Sequence, residues 1–312
     1  MEITFTNPYY LWMLLLIPFF FVTHFYSFIF VKKRALRLAN FEALERISGK
    51  RKVSFNWLIL LMRSAVLASL VCALSGMTIW YEGTSADQDF VLTLDASGSM
   101  LANDFKPNRL EAAKEAAILF IDSIDAKANV AVVSFSGLGE VELQLSSDVA
   151  MIKQAIRDIA FKSIHGTAIG DAIKVSMNVV AGSTKPRTII LLTDGRENVV
   201  SKRELLEIAD AARKNQIIIH TIGIGTEEGG MVPGLDVTST IDDSLLGEIA
   251  ERTKGSYSRV RDKNELVGKF QTIAQTSQGN IPIDMNYILL LAAILLIFVE
   301  WGLINTKFKT IP

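Results

Sequence analysis

The sequence is poor in the residues that most often carry covalent or soft-metal chemistry, with one cysteine, Cys72, and three histidines in 312 residues. A lone cysteine excludes an internal disulfide, so an exported domain would be stabilised by its core alone. There is no G-x-x-x-x-G-K-[ST] phosphate loop, no Asp-x-Asp pair after the first strand of the central region, and no activated serine with a partnered histidine. Those absences weigh against nucleotide, phosphoryl and acyl-transfer chemistry. The opening MEITFTNPYY holds no Lys or Arg, and no small-x-small site follows it, so the start reads as a retained anchor and not as a cleavable signal peptide. A formal net charge of -1 leaves no basic excess for a nucleic-acid partner.

What is abundant is apolar residues, 50% of the chain. They gather in three blocks, Leu11 to Val31, Trp57 to Trp80, and Tyr287 to Trp301 with a short continuation. Each approaches the length that crosses a hydrocarbon layer of roughly 30 Å at about 1.5 Å per residue. Between the first two lies KKRALRLANFEALERISGKRK, with eight Lys or Arg against two Glu, which the positive-inside rule places in the cytoplasm. Lys307 and Lys309 put the end of the chain on the same side. The expected layout is a transmembrane helix within 1–31, a basic cytoplasmic loop over 32–56, a second transmembrane helix over 57–81, an extracytoplasmic domain over 88–278 and a third transmembrane helix over 286–304. Arg63, inside the second block, is expected to snorkel to the headgroups. Leu38, Phe41, Leu44 and Ile47 recur every three residues within the basic loop. That pattern suits an interfacial helix on an anionic leaflet or a contact for a cytoplasmic ATPase.

From Asp89 to about Thr276 short β-rich runs alternate with helical periods. Strands are predicted at FVLTLD from Phe90, VAVVSF from Val130, VELQL from Val141, RTIILLTD from Arg187, IIIHTIGIG from Ile217 and SYSRV from Ser256. Helices are predicted over Arg109–Ser123, Val149–Ala160, Ala168–Val180, Lys202–Lys214, Asp243–Thr253 and Lys263–Thr276. Near-continuous apolar strands between helices imply an α/β fold, a doubly wound, mostly parallel open sheet of Rossmann-like type flanked by the transmembrane helices. Ligands of such sheets sit beyond the carboxyl ends of the strands. Asp95, Ser97 and Ser99 follow the first strand, Thr167 opens a helix after SIHG, and Asp194 follows IILLT, so all five fall on one rim. Hydroxyls and carboxylates without His or Cys suit a hard divalent cation, Mg2+ or Mn2+. Spacing by two aims Asp95, Ser97 and Ser99 alike if the strand runs on briefly, and Gly98 is expected to allow a tight turn.

DASGSM, GTAIGDA and LLTDG resemble the three parts of the metal-ion-dependent adhesion site (MIDAS) of von Willebrand factor type A (VWA) domains. The resemblance implies that Ser97, Ser99 and Thr167 ligate the ion through hydroxyls, with Asp95 and Asp194 holding it largely through water. It also implies protein binding through an acidic side chain of a partner, without catalysis. FTNPYYLWMLLLIP, the basic loop, MLANDFKPNRLEAAKEAA and the C-terminal anchor together resemble BatA-like bacterial aerotolerance proteins. That likeness implies a bacterial inner-membrane location, a periplasmic domain, sister VWA membrane proteins and a MoxR-type AAA+ ATPase as partners. A metal-assisted hydrolase on the same sheet and a structural anchor braced by a metal are the alternatives.

Several other residues have plainer readings. His165 reads as a solvent-facing loop residue and His220 as a core histidine. Asp104 and Arg109 either shape the docking face or stand as first-turn surface behind an Asn108 cap. The stretch Glu227 to Asp243 is a long loop, functional or partly disordered.

Overall fold

The computed structural model describes residues 2–23, 26, 57–84, 87–124, 127–162, 166–195, 197, 199–226, 229–231, 238–239, 242–276 and 278–306. In chain order the elements are β1 (Glu2–Phe5), α1 (Trp57–Leu74), β2 (Met77–Thr84), β3 (Asp89–Asp95), α2 (Arg109–Ser123), β4 (Asn129–Phe135), β5 (Gly139–Ser146), α3 (Val149–Asp158) and α4 (Ile169–Val180). There follow β6 (Arg187–Thr193), α5 (Lys202–Lys214), β7 (Ile217–Ile224), β8 (Gly230–Met231), β9 (Thr238–Ser239), α6 (Asp243–Arg252), β10 (Tyr257–Val260), α7 (Lys263–Thr276), β11 (Gln278–Asp284) and α8 (Asn286–Thr306). The chain falls into two units, residues 1–80 with 283–312, and residues 81–282.

The second unit is the expected doubly wound sheet, with strand order β10-β7-β6-β3-β4-β5. All neighbours are parallel except β5, which runs antiparallel on β4 at the edge. Period-two alternation sends Phe90, Leu92 and Leu94 to one face of β3 and Val91 to the other, so each face has its own core. On the first face Phe120 of α2 lies between Phe90 and Phe270 of α7, with ring centroids 5.3 and 5.5 Å apart. On the second, α4, α5 and α6 cover Ile189, Leu191, Ile217 and Ile219. From β3 the chain winds outward through β4 and β5, then returns to β6 on the other side of β3. The topological switch therefore falls between the carboxyl ends of β3 and β6, where Asp95 and Asp194 stand.

The first unit holds the apolar helices. Among the described residues two are long and apolar enough to cross a membrane, Trp57–Leu74 and Asn286–Asn305, and the apolar helix Pro8–Thr23 is shorter. The rest of the first apolar block and the basic loop lie outside the described residues. The second block is not helical over its whole predicted length of 57–81. Helix α1 stops at Leu74, Gly76 takes a φ of 68°, and the β-branched and aromatic run that follows becomes β2. A side chain at Gly76 would also stand 2.8 Å from Thr6 Cβ. Strand β1, which the sequence reading did not anticipate, pairs antiparallel with β2, and Trp80 Nε1 donates to Thr4 Oγ1 at 2.7 Å. At the other end of the unit Met285 N–H donates to the Met77 carbonyl at 3.0 Å.

Arg63, whose side chain is 53% exposed, has a partner that the snorkelling expectation did not include. Its Nε donates to Glu300 Oε1 of α8 at 2.6 Å, with Glu300 13% exposed. Each apolar helix contributes one charge, and the two cancel across the helix pair.

Candidate metal site

Strand β3 ends at Asp95, and the chain turns at once into a 3-10 turn over Gly98–Leu101 with Ser97 at its start. Ser97 and Ser99 are thus brought together by that turn and not by continued strand alternation, and their hydroxyls lie 3.1 Å apart. Gly98 is not needed for the turn, since a Cβ there would meet only Phe161 at 3.9 Å.

The loops of the rim are stitched to one another. Ala96 N–H donates to the Phe135 carbonyl at 2.7 Å, Lys162 N–H to the Ala96 carbonyl at 3.1 Å, and Ala168 N–H to the Ser136 carbonyl at 2.7 Å. The last of these sets Thr167, 5% exposed, beside the end of β4. Asp194 follows β6 directly and is wholly buried, as is Asp95. The structure thus gathers all five sequence-predicted residues at the carboxyl ends of β3, β4 and β6 or on the loops stitched to them.

The charges of the site are arranged so that hydroxyls remain available. Asp95 Oδ1 accepts from the Ser97 N–H at 2.8 Å and Oδ2 from the Thr193 hydroxyl at 2.6 Å. Burial, and after it the neighbouring Asp194 charge, push the Asp95 carboxyl up to about 7 despite those hydrogen bonds. Two carboxylates so close and so dry repel each other, and a cation relieves that repulsion. Among the described residues no group of three or more His, Cys, Asp or Glu side chains is placed to hold a metal, and the oxygens gathered here are two carboxylates with serine and threonine hydroxyls. The Ser136 hydroxyl at the same rim is buried without a hydrogen-bond partner, another oxygen awaiting a donor or an ion. These residues fit a hard divalent cation.

Residues unread in the sequence complete the frame. Glu197 accepts from the Gly170 N–H at 3.0 Å and from the Val199 N–H at 2.7 Å, locking the loop after Asp194 onto the start of α4. Nothing in the spacing singles it out beyond a second carboxylate, three residues after Asp194, in DGREN. Asn108 does cap α2, accepting from Glu111 N–H at 2.8 Å, yet Arg109 is neither surface nor docking face. It is fully buried, and its guanidinium binds Asp104. Hydrogen bonds from Arg109 and Thr226, with the guanidinium charge, outweigh burial and hold the Asp104 carboxyl below its usual value.

A family model described as von Willebrand factor type A domain matches residues 90–197, and one described as aerotolerance regulator N-terminal matches residues 1–76. This is a BatA-like protein built around a VWA domain. It is 27% identical over 297 residues to a UPF0353 protein of Mycobacterium avium, the match covering 89% of this chain and 88% of that protein. Its VWA domain is similar to the crystal structure of BatB from Bacteroides thetaiotaomicron, with 29% identity, a TM-score of 0.55, and coverage of 61% of this chain and 98% of that one. Proximal thread matrix protein 1 from the mussel byssus, solved with zinc in its MIDAS motif, shares the fold at 21% identity and a TM-score of 0.53, over 72% of this chain and 53% of that one.

Of the three histidines, His220 is the one among the described residues. His165 lies outside the described residues. His220 is on β7, where its Nδ1 lies 2.8 Å from Ser256 Oγ and Nε2 is buried without a partner. Burial pushes the imidazole from 6.5 down to about 4. The unfolded chain therefore takes up this proton first, so stability is complete above pH 6.5 and falls as the pH drops towards about 4. The loss from this one group is on the order of 3 kcal/mol. Urea unfolding at pH 7 and pH 5 should show a smaller acid loss in His220→Gln than in the wild type, and equal losses would refute the assignment.

Proposed function

We propose that this chain is a membrane-anchored docking protein whose VWA domain holds Mg2+ or Mn2+ and, through it, a carboxylate of a protein partner. The carrying observation is the pairing of the Ser97 and Ser99 hydroxyls in front of an Asp95 whose oxygens are already engaged by the Ser97 N–H and the Thr193 hydroxyl. Ser97, Ser99 and Thr167 would hold the ion directly, and Asp95 and Asp194 would hold it through water. Uncharged first ligands leave such an ion with positive charge to spare and a coordination position for an outside acid. Zinc in the MIDAS motif of the mussel protein supports metal occupancy of this fold.

The anchor reading is a bacterial inner-membrane protein with the VWA domain extracytoplasmic and the basic loop cytoplasmic. It is supported by the sheet that β1 forms with β2 and by the hydrogen bond from Met285 to Met77. These bring the chain start, the exit from α1 and the entry to α8 to one level, as three crossings with an outer N-terminus require. Sister VWA membrane proteins and a MoxR-type AAA+ ATPase are the partners that fit this layout. The test is capture of partners from solubilised membranes with and without EDTA, comparing wild type with the Ser97→Ala, Ser99→Ala double variant. Partner sets unchanged by both treatments would refute the docking reading.

A further inference from the structure

Arg109 is among the largest side chains wholly shielded from solvent, and carboxylate docking alone does not require an arginine beneath the rim. Its guanidinium faces two ways. Nε and Nη2 donate to the two carboxylate oxygens of Asp104 at 2.8 and 2.7 Å, a bidentate fork. Nη1 lies 3.5 Å from Asp194 Oδ2, a longer ion pair. Asp104 is gripped in turn by the chain leaving β7. Its Oδ2 accepts from the Thr226 N–H at 3.1 Å and the Thr226 hydroxyl at 3.3 Å. Gly230 packs so closely that a Cβ there would stand 2.6 Å from Asp104 Oδ1, and the Asn103 N–H donates to the Met231 carbonyl at 3.3 Å. The same connection returns to the rim at Asp242, whose N–H donates to the Asp194 carbonyl at 3.3 Å. One buried cation thus stands between a carboxylate of the metal site and the carboxylate that pins the chain at Thr226 and Gly230.

We propose that Arg109 is a shared counter-ion, a positioning residue that couples cation binding at the rim to the hold on Thr226 and Gly230–Met231. This rests on the metal-docking reading above. A divalent cation that draws on Asp194 competes with Arg109 for that carboxylate. As the guanidinium yields there it settles on Asp104 and tightens the grip on Thr226. Linkage makes the effect reciprocal, so a firmer Arg109–Asp104 fork favours the cation.

The sign of two substitutions separates this from a bracing role. Arg109→Gln removes the competing charge and should raise Mn2+ affinity, whereas Asp104→Asn leaves the guanidinium to Asp194 and should lower it, each on the order of tenfold. A side chain that only braces the fold would lower affinity in both. The experiment is Mn2+ titration by electron paramagnetic resonance on the full chain in detergent, with hydrogen exchange at Thr226 and Met231 followed with and without Mn2+. In the wild type Mn2+ should slow exchange at both positions, a readout that needs no variant to fold, and in Asp104→Asn that slowing should vanish. A wild type that binds Mn2+ with unchanged exchange, or variants that shift affinity the same way, would overturn the coupling and leave the docking reading standing. A wild type that does not bind Mn2+ would remove both.

Discussion

With Ser97 and Ser99 both replaced by alanine, the full-length protein will lose Mn2+ affinity by at least about a hundredfold and still melt within about 3 °C of the wild type. The large effect follows from the donor set. Asp95 is occupied by the Ser97 N–H and the Thr193 hydroxyl, so the serine hydroxyls are the oxygens at this point of the rim that an ion can take without breaking the frame. The small effect follows from what the substitution leaves in place. The Ser97 hydroxyl does not cap the 3-10 turn over Gly98–Leu101, and the hydrogen bond from the Ser97 N–H to Asp95 survives the loss of the hydroxyl. Paramagnetic resonance titration and differential scanning calorimetry on the same preparation check both halves. Intact affinity would place the ion elsewhere, and a collapse in melting temperature would point to a metal that braces the fold.

Phe120→Ala will be the most damaging single truncation in the core of the VWA domain, costing about 4 kcal/mol. Phe120 is fully buried where α2 meets α7 and packs edge-on against Phe90 of β3, at an interplanar angle of 88°. Its removal leaves a cavity walled by a central strand on one side and Phe270 on the other, and neither wall can collapse inward without pulling β3 out of register with β4 and β6. For a domain of this size the melting temperature should fall by about 10 °C. Phe120→Leu, which refills most of the volume, should recover more than half of that loss. A fall in Phe120→Ala of less than a few degrees would mean the site repacks freely.

The centre of the sheet was the easiest part to read, and the reason is burial on both faces. Phe90–Leu92, Ile189–Leu192 and Ile217–Ile219 are continuous apolar runs because both faces of β3, β6 and β7 are covered there. The rim was legible because the five candidate ligands follow strand ends or open helices at short offsets, which sequence spacing records. The trajectory between those ligands was not, and Ser97 and Ser99 converge through a turn that alternation cannot describe. Hydropathy also misjudged the second apolar block, where one unbroken signal covers α1 and the first residues of β2, since both are apolar and only Gly76 marks the change. Arg109 was hardest, because a charged first-turn residue is ordinarily solvated. Its burial depends on Asp104, five residues earlier, and on Asp194 arriving from the end of β6.

The order of strands in the small sheet bears on how the protein is made. Strand β2 lies between β1, which precedes the VWA domain in the chain, and β11, built from residues translated after the whole VWA domain. During synthesis β2 must wait with one flank open while that domain is made and folds. A nascent chain stalled before β11 would therefore present a bare strand edge to its neighbours, an opening for misassembly that only completion of the polypeptide closes.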